Sequence, residues 1–450
     1  MIVAIPPATG VGATDAAALA QVAAVDWNGR LRAKPIPASG LDQAFARGVA
    51  ITSAIFAVDH AERPILTGRF QDPANGYRDA HLVPDADARY RDPLASDNVP
   101  LLLGHLIEDH ACFCPRAILR REVDALSALG FEARGAFEFE YHLLQETEAS
   151  LAEKTPASLQ RLPALRRMYS WPDQALLGDF FDAARRAAVR AGVPVASWHA
   201  EFTGLVEAAL EPAPGMAMAD QAVLFKALAK VSARQCGYLA TFMPRLADGF
   251  ETAGGHLNLS LVDGGGAPAF FAAGNVQRLT PAARHFIGGL QRYGPELTLL
   301  FLSNLNSYKR FQGVSFAPRV NAWGIDNKTC AWRVVNRSPD LARIECRLPG
   351  ADVHPHLALA AVLAAGRRGL AECTEPLPAV EGDAAASPHV GRPFCGRFEE
   401  AIAAWRGSGF ACEVFGADFV EAFAESRDWQ ISQLAASVTD WELRQFAEGA

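Results

Sequence analysis

The run AFEFEYHLL, residues 136–144, constrains this chain more than any other segment. Its alternation has a period of two, which an extended strand satisfies and a helix does not. Glu138 and Glu140 therefore project to one face, and Phe137, Phe139 and Tyr141 to the other. The aromatic face requires a core behind it. The acidic face sets two like charges side by side, which suits hard divalent ions such as Mg²⁺ and Mn²⁺, whose oxygen-rich shells accept several carboxylates. Taken alone, such a strand is more often a solvated sheet face than a metal site. Glu201 and Glu207 in WHAEFTGLVEAALE, and His256 in GGHLNLSL, add candidate ligands, and each of these alone is more often structural.

At 450 residues the chain exceeds one ordinary core, so two domains, or a large one with a small one attached, are expected. Half of the residues are apolar and a fifth are charged, the composition of a globular protein. A net charge of -8 repels a phosphate backbone, so neither nucleic acid nor an anionic membrane is expected as a partner, and small molecules are favoured. The eight cysteines are scattered without a CxxC pair, which fits a reducing, cytoplasmic setting. The apolar N-terminus lacks a basic region and carries Asp15, so a signal peptide is not expected, and no stretch approaches a membrane span free of charge.

Residues 22–109 read as a small α+β unit: a strand and turn in VAAVDWNGRLRA, an amphipathic helix in LDQAFARGVAITSAIF, and strands in HLVPD and VPLLLGHLI. Between them GRFQDPANGYRDAH reads as a long exposed loop. Pro115 opens a helix that Gly130 ends. Beyond the acidic strand, four helices (DQALLGDFFDAARRAAVRAG, DQAVLFKALAKVSARQ, PAARHFIGGLQRYG, PHLALAAVLAAGRRGL) alternate with short strands (VASWHAEF, GYLATFMP, GHLNLSL, AWRVV, ARIECRL), and the chain from Ser387 is mostly helical.

The order of these segments resembles the glutamine synthetase family from about Asp26 to the C-terminus. FEFE, HAEFTGLVE, ATFMPRL, TAGGHLNLSL, NSYKRF, DNKTCAWRV, RIECR and HPHLALAA follow one another as that family's motifs do, and VTDWEL closes the chain. The resemblance implies a small N-terminal β-grasp domain over residues 17–112 and a large catalytic domain over 113–450, an α+β chain with a curved antiparallel sheet. It implies Glu140, Glu201 and Glu207 around one divalent ion, Glu138, His256 and Glu345 around another, two or three Mg²⁺ or Mn²⁺ ions in all, and ATP as co-substrate. Arg310 and Arg347 take the place of arginines that clamp glutamate, a bidentate task that suits a guanidinium. Lys328 and Arg333 take the catalytic basic segment. Arg333 and Arg343, with Asn258 and Ser260, fall on the nucleotide side. A homo-oligomeric ring, by analogy a dodecamer, is implied as well.

Departures from the family pattern select the branch. Where glutamine synthetases carry the Glu that helps take a proton from ammonium, this chain has Phe316. A ring cannot hold a small cation as a carboxylate does, but it packs on an alkyl or aryl amine. The resemblance is therefore to γ-glutamylamide synthetases, which join glutamate to organic amines. A glutamine synthetase using ammonia and a non-catalytic structural or regulatory relative are the alternatives, and the full ligand set opposes the second. The family's second His of the HxH strand is Asn258, an Arg is Lys328, the helix opens His354-Pro355-His356, Leu205 precedes the second acidic ligand, and Thr252 opens the Gly-rich loop. Asp72 and Asp79 are both candidates for the N-terminal loop acid that enters a neighbouring site.

Overall fold

The computed structural model describes residues 18–65, 70, 76–95, 98–162, 167–202, 204–312 and 317–449. Near the N-terminus, β1 (Leu19–Val25), β2 (Leu31–Pro37), β3 (Val49–Thr52), β4 (Asp79–Arg91) and β5 (Pro100–Leu106) form one sheet in the order β2-β1-β5-β4-β3. The central β1–β5 pair is parallel and its neighbours antiparallel, as expected of a β-grasp unit. The β1–β2 turn is set by Asp26, whose Oδ1 accepts from the backbone N–H groups of Asn28 and Arg30, and by Gly29 at φ +74.

The helix expected over residues 41–56 is shorter than its pattern suggests. It spans Leu41–Arg47 and stops at Gly48, φ +77, after which Val49–Thr52 pairs with β4 as a strand. A β-branched run with an available sheet edge gains more from ladder pairing than from continuing the helix. The expected exposed loop at 68–81 also needs correction. Phe70 is buried against Trp27, Phe56 and Phe113, and residues from Asp79 already belong to β4. Asp72 and Phe316 lie outside the described residues.

The helix Pro115–Ser127 leads through a turn at Gly130 (φ +83) into β6 (Phe131–Leu144). It is followed by β7 (Val195–Ala200), β8 (Leu205–Leu210), β9 (Ala213–Pro214), β10 (Leu239–Thr241), β11 (Gly255–Asp263), β12 (Trp323–Ile325), β13 (Trp332–Val335) and β14 (Arg343–Cys346). Among the described residues these make a sheet in the order β12-β13-β14-β11-β6-β8-β7, with β9 and β10 also paired to β6. All of its pairs are antiparallel except β12–β13.

As the alternation demands, Phe137, Phe139 and Tyr141 are fully buried. Phe139 and Tyr141 meet Phe225 of the helix Gly215–Gln235 and Phe242, with ring centroids 5.0–6.2 Å apart. Each such side chain contributes about 2–3 kcal/mol on leaving water. The helices Pro281–Tyr293 and Pro355–Glu372 lie where the sequence places them, whereas the expected helix at 173–192 is broken into Trp171–Ala175 and Gly178–Ala191. The chain after Ser387 is mostly helical, as expected.

One hydrophobic core runs from the small sheet into the large one. Trp27 is buried between them and donates to the Phe113 carbonyl at 2.9 Å, while Arg427 donates to the Trp27 carbonyl at 2.8 Å. A second tie is ionic: Arg116 bridges Asp220 and, on β4, Asp85, each at 2.9 Å, and His356 contacts Asp220 at 2.8 Å. Among the described residues no helix is long and apolar enough to cross a membrane.

Candidate active site

Strand register assembles the site. On β6, Glu138 stands opposite His256 of β11, and Glu140 stands opposite Glu207 of β8. Glu345 of β14 stands opposite Asn258 of β11 on one side and Arg333 of β13 on the other. Because side chains alternate, these residues share one face of the sheet, and the face opposite is occupied by the buried aromatics.

Two trios of potential ligands result. The ligand atoms of Glu138, His256 and Glu345 all lie within 4.8 Å of one another, and so do those of His199, Glu201 and Glu207. In the first, His256 Nδ1 is 3.2 Å from Glu138 Oε1 and 3.7 Å from Glu345 Oε1. In the second, His199 Nε2 is 2.7 Å from Glu201 Oε1 and 3.6 Å from Glu207 Oε1, and the Tyr169 ring stacks on the imidazole at 4.2 Å. Glu140 lies between the trios and turns toward a loop, where its Oε2 accepts from the Gly254 backbone N–H at 2.6 Å.

Gly254 is where the chain makes room. A Cβ built there would sit 2.7 Å from His256 Nε2, 3.0 Å from Arg310 Nη2 and 3.3 Å from Glu140 Oε2. Behind it, buried Arg310 donates to the carbonyls of Leu348 and Pro349 at 2.8 and 2.7 Å. Arg347 and Arg333 both hold Glu345, Arg333 at 2.8 Å, and Asp326 pins the other edge of Arg333. Arg343 donates to Asn258 Oδ1 at 2.9 Å. Further along β11, Ser260 donates to the Arg134 carbonyl at 3.2 Å. The Lys328 carbonyl accepts from Arg347 at 3.1 Å, and its ammonium acts on Glu207.

Electrostatics divide the carboxylates. Burial would raise Glu138, but the hydrogen bond and charge of His256, with Arg347 and Arg343, hold its carboxyl down at about 2. Glu345 is likewise held low against its burial by His256 and Arg347. Glu207 goes the other way. Burial first, then repulsion from Glu138, Glu140 and Glu201, pushes it to about 9, with Lys328 opposing only in part. Five carboxylates converge on this face, the repulsion at Glu207 is only partly offset by Lys328, and oxygen and imidazole donors at this spacing fit divalent cations.

Comparison with known proteins agrees with this geometry. Residues 112–446 match the model of the glutamine synthetase catalytic domain. A glutamate–isopropylamine ligase of Pseudomonas sp is 30% identical over 433 residues, 95% of this chain and 94% of that one. A γ-glutamylethanolamide synthetase of Streptomyces coelicolor is 32% identical over 435 residues, 94% and 91% of the two chains. A γ-glutamylanilide synthase of Acinetobacter sp is 28% identical over 371 residues, 77% and 74%. The chain belongs to the glutamine synthetase family.

A solved structure titled as apo GmaS without ligand superposes with a TM-score of 0.81 at 23% identity, covering 96% of each chain, and so speaks to the fold alone. Glutamine synthetase family enzymes use ATP and divalent metals. Within that family frame, the structure gathers Glu138, His256 and Glu345 as a group. It adds His199 to Glu201 and Glu207, while Glu140, opposite Glu207 across the β6–β8 pair, turns to the Gly254 N–H instead. His199 carries a sequence signal, since it lies two residues before Glu201 and thus shares its face, but a lone histidine in WHAEF gives no reason to single it out. Tyr169 and Asp326 reach the site from outside the large sheet's strands, and only the folded chain reveals them.

Proposed function

We propose that this chain is an ATP-dependent glutamate–amine ligase. It phosphorylates the γ-carboxylate of glutamate and transfers the γ-glutamyl group to an organic primary amine, giving a γ-glutamylamide, ADP and phosphate. The observation that carries the reading is the two ligand trios on one sheet face, flanked by Arg310, Arg347 and Arg333. Relatives named for isopropylamine, ethanolamide and anilide chemistry support an organic acceptor, as does the sequence replacement at Phe316.

Glu138, His256 and Glu345 would hold one ion and Glu140, Glu201 and Glu207, with His199, another, as Mg²⁺ or Mn²⁺. Bound there, the metals neutralise charge in phosphoryl transfer. Arg310 and Arg347 orient glutamate. Its γ-carboxylate oxygen bonds to the terminal phosphorus as the bond to ADP breaks. Lys328, Arg333 and Arg343 draw off the charge that accumulates on the phosphate oxygens, with Asn258 and Ser260 on the nucleotide side. The amine nitrogen then bonds to the acyl carbon, loses a proton, and phosphate departs with one former carboxylate oxygen. A phenylalanine at position 316, where the family has an acid, favours an amine that carries a hydrocarbon part.

The ring-forming assembly of the family is proposed for this chain too. The helix Asp440–Phe446 leaves Trp441 59%, Leu443 62% and Phe446 55% exposed, surface that a second copy would cover. The test of function is phosphate release from ATP with glutamate and Mg²⁺ or Mn²⁺, in a panel of ammonia, isopropylamine, ethanolamine, aniline and polyamines, with products weighed by mass spectrometry. Selective turnover of an organic amine is expected. Turnover saturating at low ammonium instead identifies a glutamine synthetase, and ATP binding absent altogether identifies a non-catalytic relative.

A further inference from the structure

The segment following Arg347, residues Leu348–Val353, meets both Arg310 and the Gly-rich loop at residues 253–255 through its backbone. Its Leu348 and Pro349 carbonyls hold Arg310. Its Pro349 carbonyl also accepts from Gly255 N at 3.0 Å, its Ala351 N donates to the Ala253 carbonyl at 3.1 Å, and Gly350 bridges to Gly254. The position of Arg310 relative to Gly254, and hence the space between them, is set by this one stretch of backbone.

Two groups fix that stretch from behind. Lys226, on the helix Gly215–Gln235, is 8% exposed and donates from Nζ to the carbonyls of Ala351 at 2.9 Å and Val353 at 3.1 Å. It reaches them between the rings of Phe139 and Phe242, whose centroids lie 5.4 and 5.2 Å from Nζ. Asp352 Oδ2 accepts from Asn304 Nδ2 at 2.6 Å and from Ser307 Oγ at 2.7 Å; Ser307 lies in the NSYKR segment, residues 306–310, that carries Arg310, and Asn304 lies just before it. Arg310 is thus tied twice to the same stretch, through its own guanidinium and through the chain just before it.

A buried ammonium is an expensive way to hold two carbonyls, because desolvation disfavours its charge, and here burial pushes Lys226 down to about 7. Two carbonyls of one short stretch bound to a single buried Nζ fix that backbone from two points, which suits a contact whose task is positional.

Resting on the ligase reading above, we propose that Lys226 and Asp352 are positioning residues for the amino-acid substrate: together they lock residues 348–353 so that Arg310 and Gly254 frame the glutamate subsite. They touch neither substrate nor metal. The nucleotide side, built on Arg333, Arg343, Asn258 and Ser260, is not anchored by them.

The test compares wild type, K226M and D352N in the full-length enzyme with its preferred amine, reading the KM values for glutamate and ATP separately, and ATP affinity by calorimetry. Methionine keeps the length and apolar stem of lysine while removing the donor. Asparagine keeps the shape of Asp352. The expected result is a glutamate KM raised about tenfold or more in each variant, with the ATP KM and ATP affinity within about twofold of wild type. Equal shifts in both KM values, or a glutamate KM unchanged in a folded variant, overturn the proposal. If K226M does not fold, D352N decides by the same criterion. A wild-type enzyme without glutamate-dependent turnover would instead overturn the ligase reading, so the two failures are distinguishable.

Discussion

At the scale of single residues, the account turns on which atoms face the acidic sheet. Gly254 has no side chain where one would strike His256 and Arg310. Its backbone is not among the positive-φ glycines, so alanine is sterically allowed by the chain itself. G254A is therefore expected to fold and to lose at least about tenfold in kcat/KM, because about 1 Å of misplacement at a reacting centre has effects of that order or larger. Near-normal kcat/KM in G254A would show that the space is not used. His199 braces Glu201 at 2.7 Å, and groups that ligate or orient ligands contribute about 10–100-fold to metal affinity. H199A is expected to weaken Mn²⁺ binding by that factor in calorimetry, and unchanged binding would remove His199 from the site.

A third residue-scale expectation concerns pH. His142 is buried, and burial lowers its imidazole to about 4 from the ordinary 6.5. The unfolded chain then binds a proton that the folded chain refuses. Stability from this group is complete above pH 6.5 and drains away as pH falls from 6.5 toward 4. In H142F the drop in melting temperature between pH 7.5 and 5 should be smaller than in wild type, and an equal drop would contradict the assignment. At this scale the grouping of Glu138, His256 and Glu345, and of Glu201 with Glu207, was legible in the sequence because the motifs are ordered and period two fixes the faces. Tyr169 and the Lys226 contact were not, since each depends on segments far apart in the chain meeting in space, and Asp326 was not because only the turn between β12 and β13 brings it back onto Arg333.

At the scale of elements, the acidic strand was readable over residues 136–144, both faces included, although it begins at Phe131, and the helices Pro281–Tyr293 and Pro355–Glu372 were readable from their apolar content, whereas the one expected over 173–192 is broken. The helix over 41–56 was misread because Val49–Thr52 satisfies a helical pattern and a strand pattern equally, and only the free edge of β4 decides between them. What holds the elements together is partly ionic. Asp220 joins Arg116 and His356 at 1% exposure, which ties the helices Pro115–Ser127, Gly215–Gln235 and Pro355–Glu372 to one another. Removing one partner strands the others without compensation. D220A is expected to cost about 3–5 kcal/mol in denaturant unfolding, and a loss below about 1 kcal/mol would show that the network is incidental.

At the scale of the whole molecule, the small sheet is part of the catalytic body rather than an appendage. Trp27 lies in the shared core and Arg427 closes over it. A truncated catalytic half should therefore expose apolar surface and lose solubility. The exposed Trp441 and Phe446 belong to the proposed assembly. Replacing both with aspartate is expected to lower the particle mass measured by light scattering, and a mass unchanged from wild type would place the contact elsewhere.

The central claim is that the sheet face makes an acyl phosphate of glutamate. It is tested most directly with glutamate carrying ¹⁸O at both γ-carboxylate oxygens, turned over with ATP and the amine that best supports phosphate release. The account predicts one ¹⁸O in the released phosphate for each amide formed and one retained in the amide. An amide formed while the phosphate stays unlabelled would contradict it.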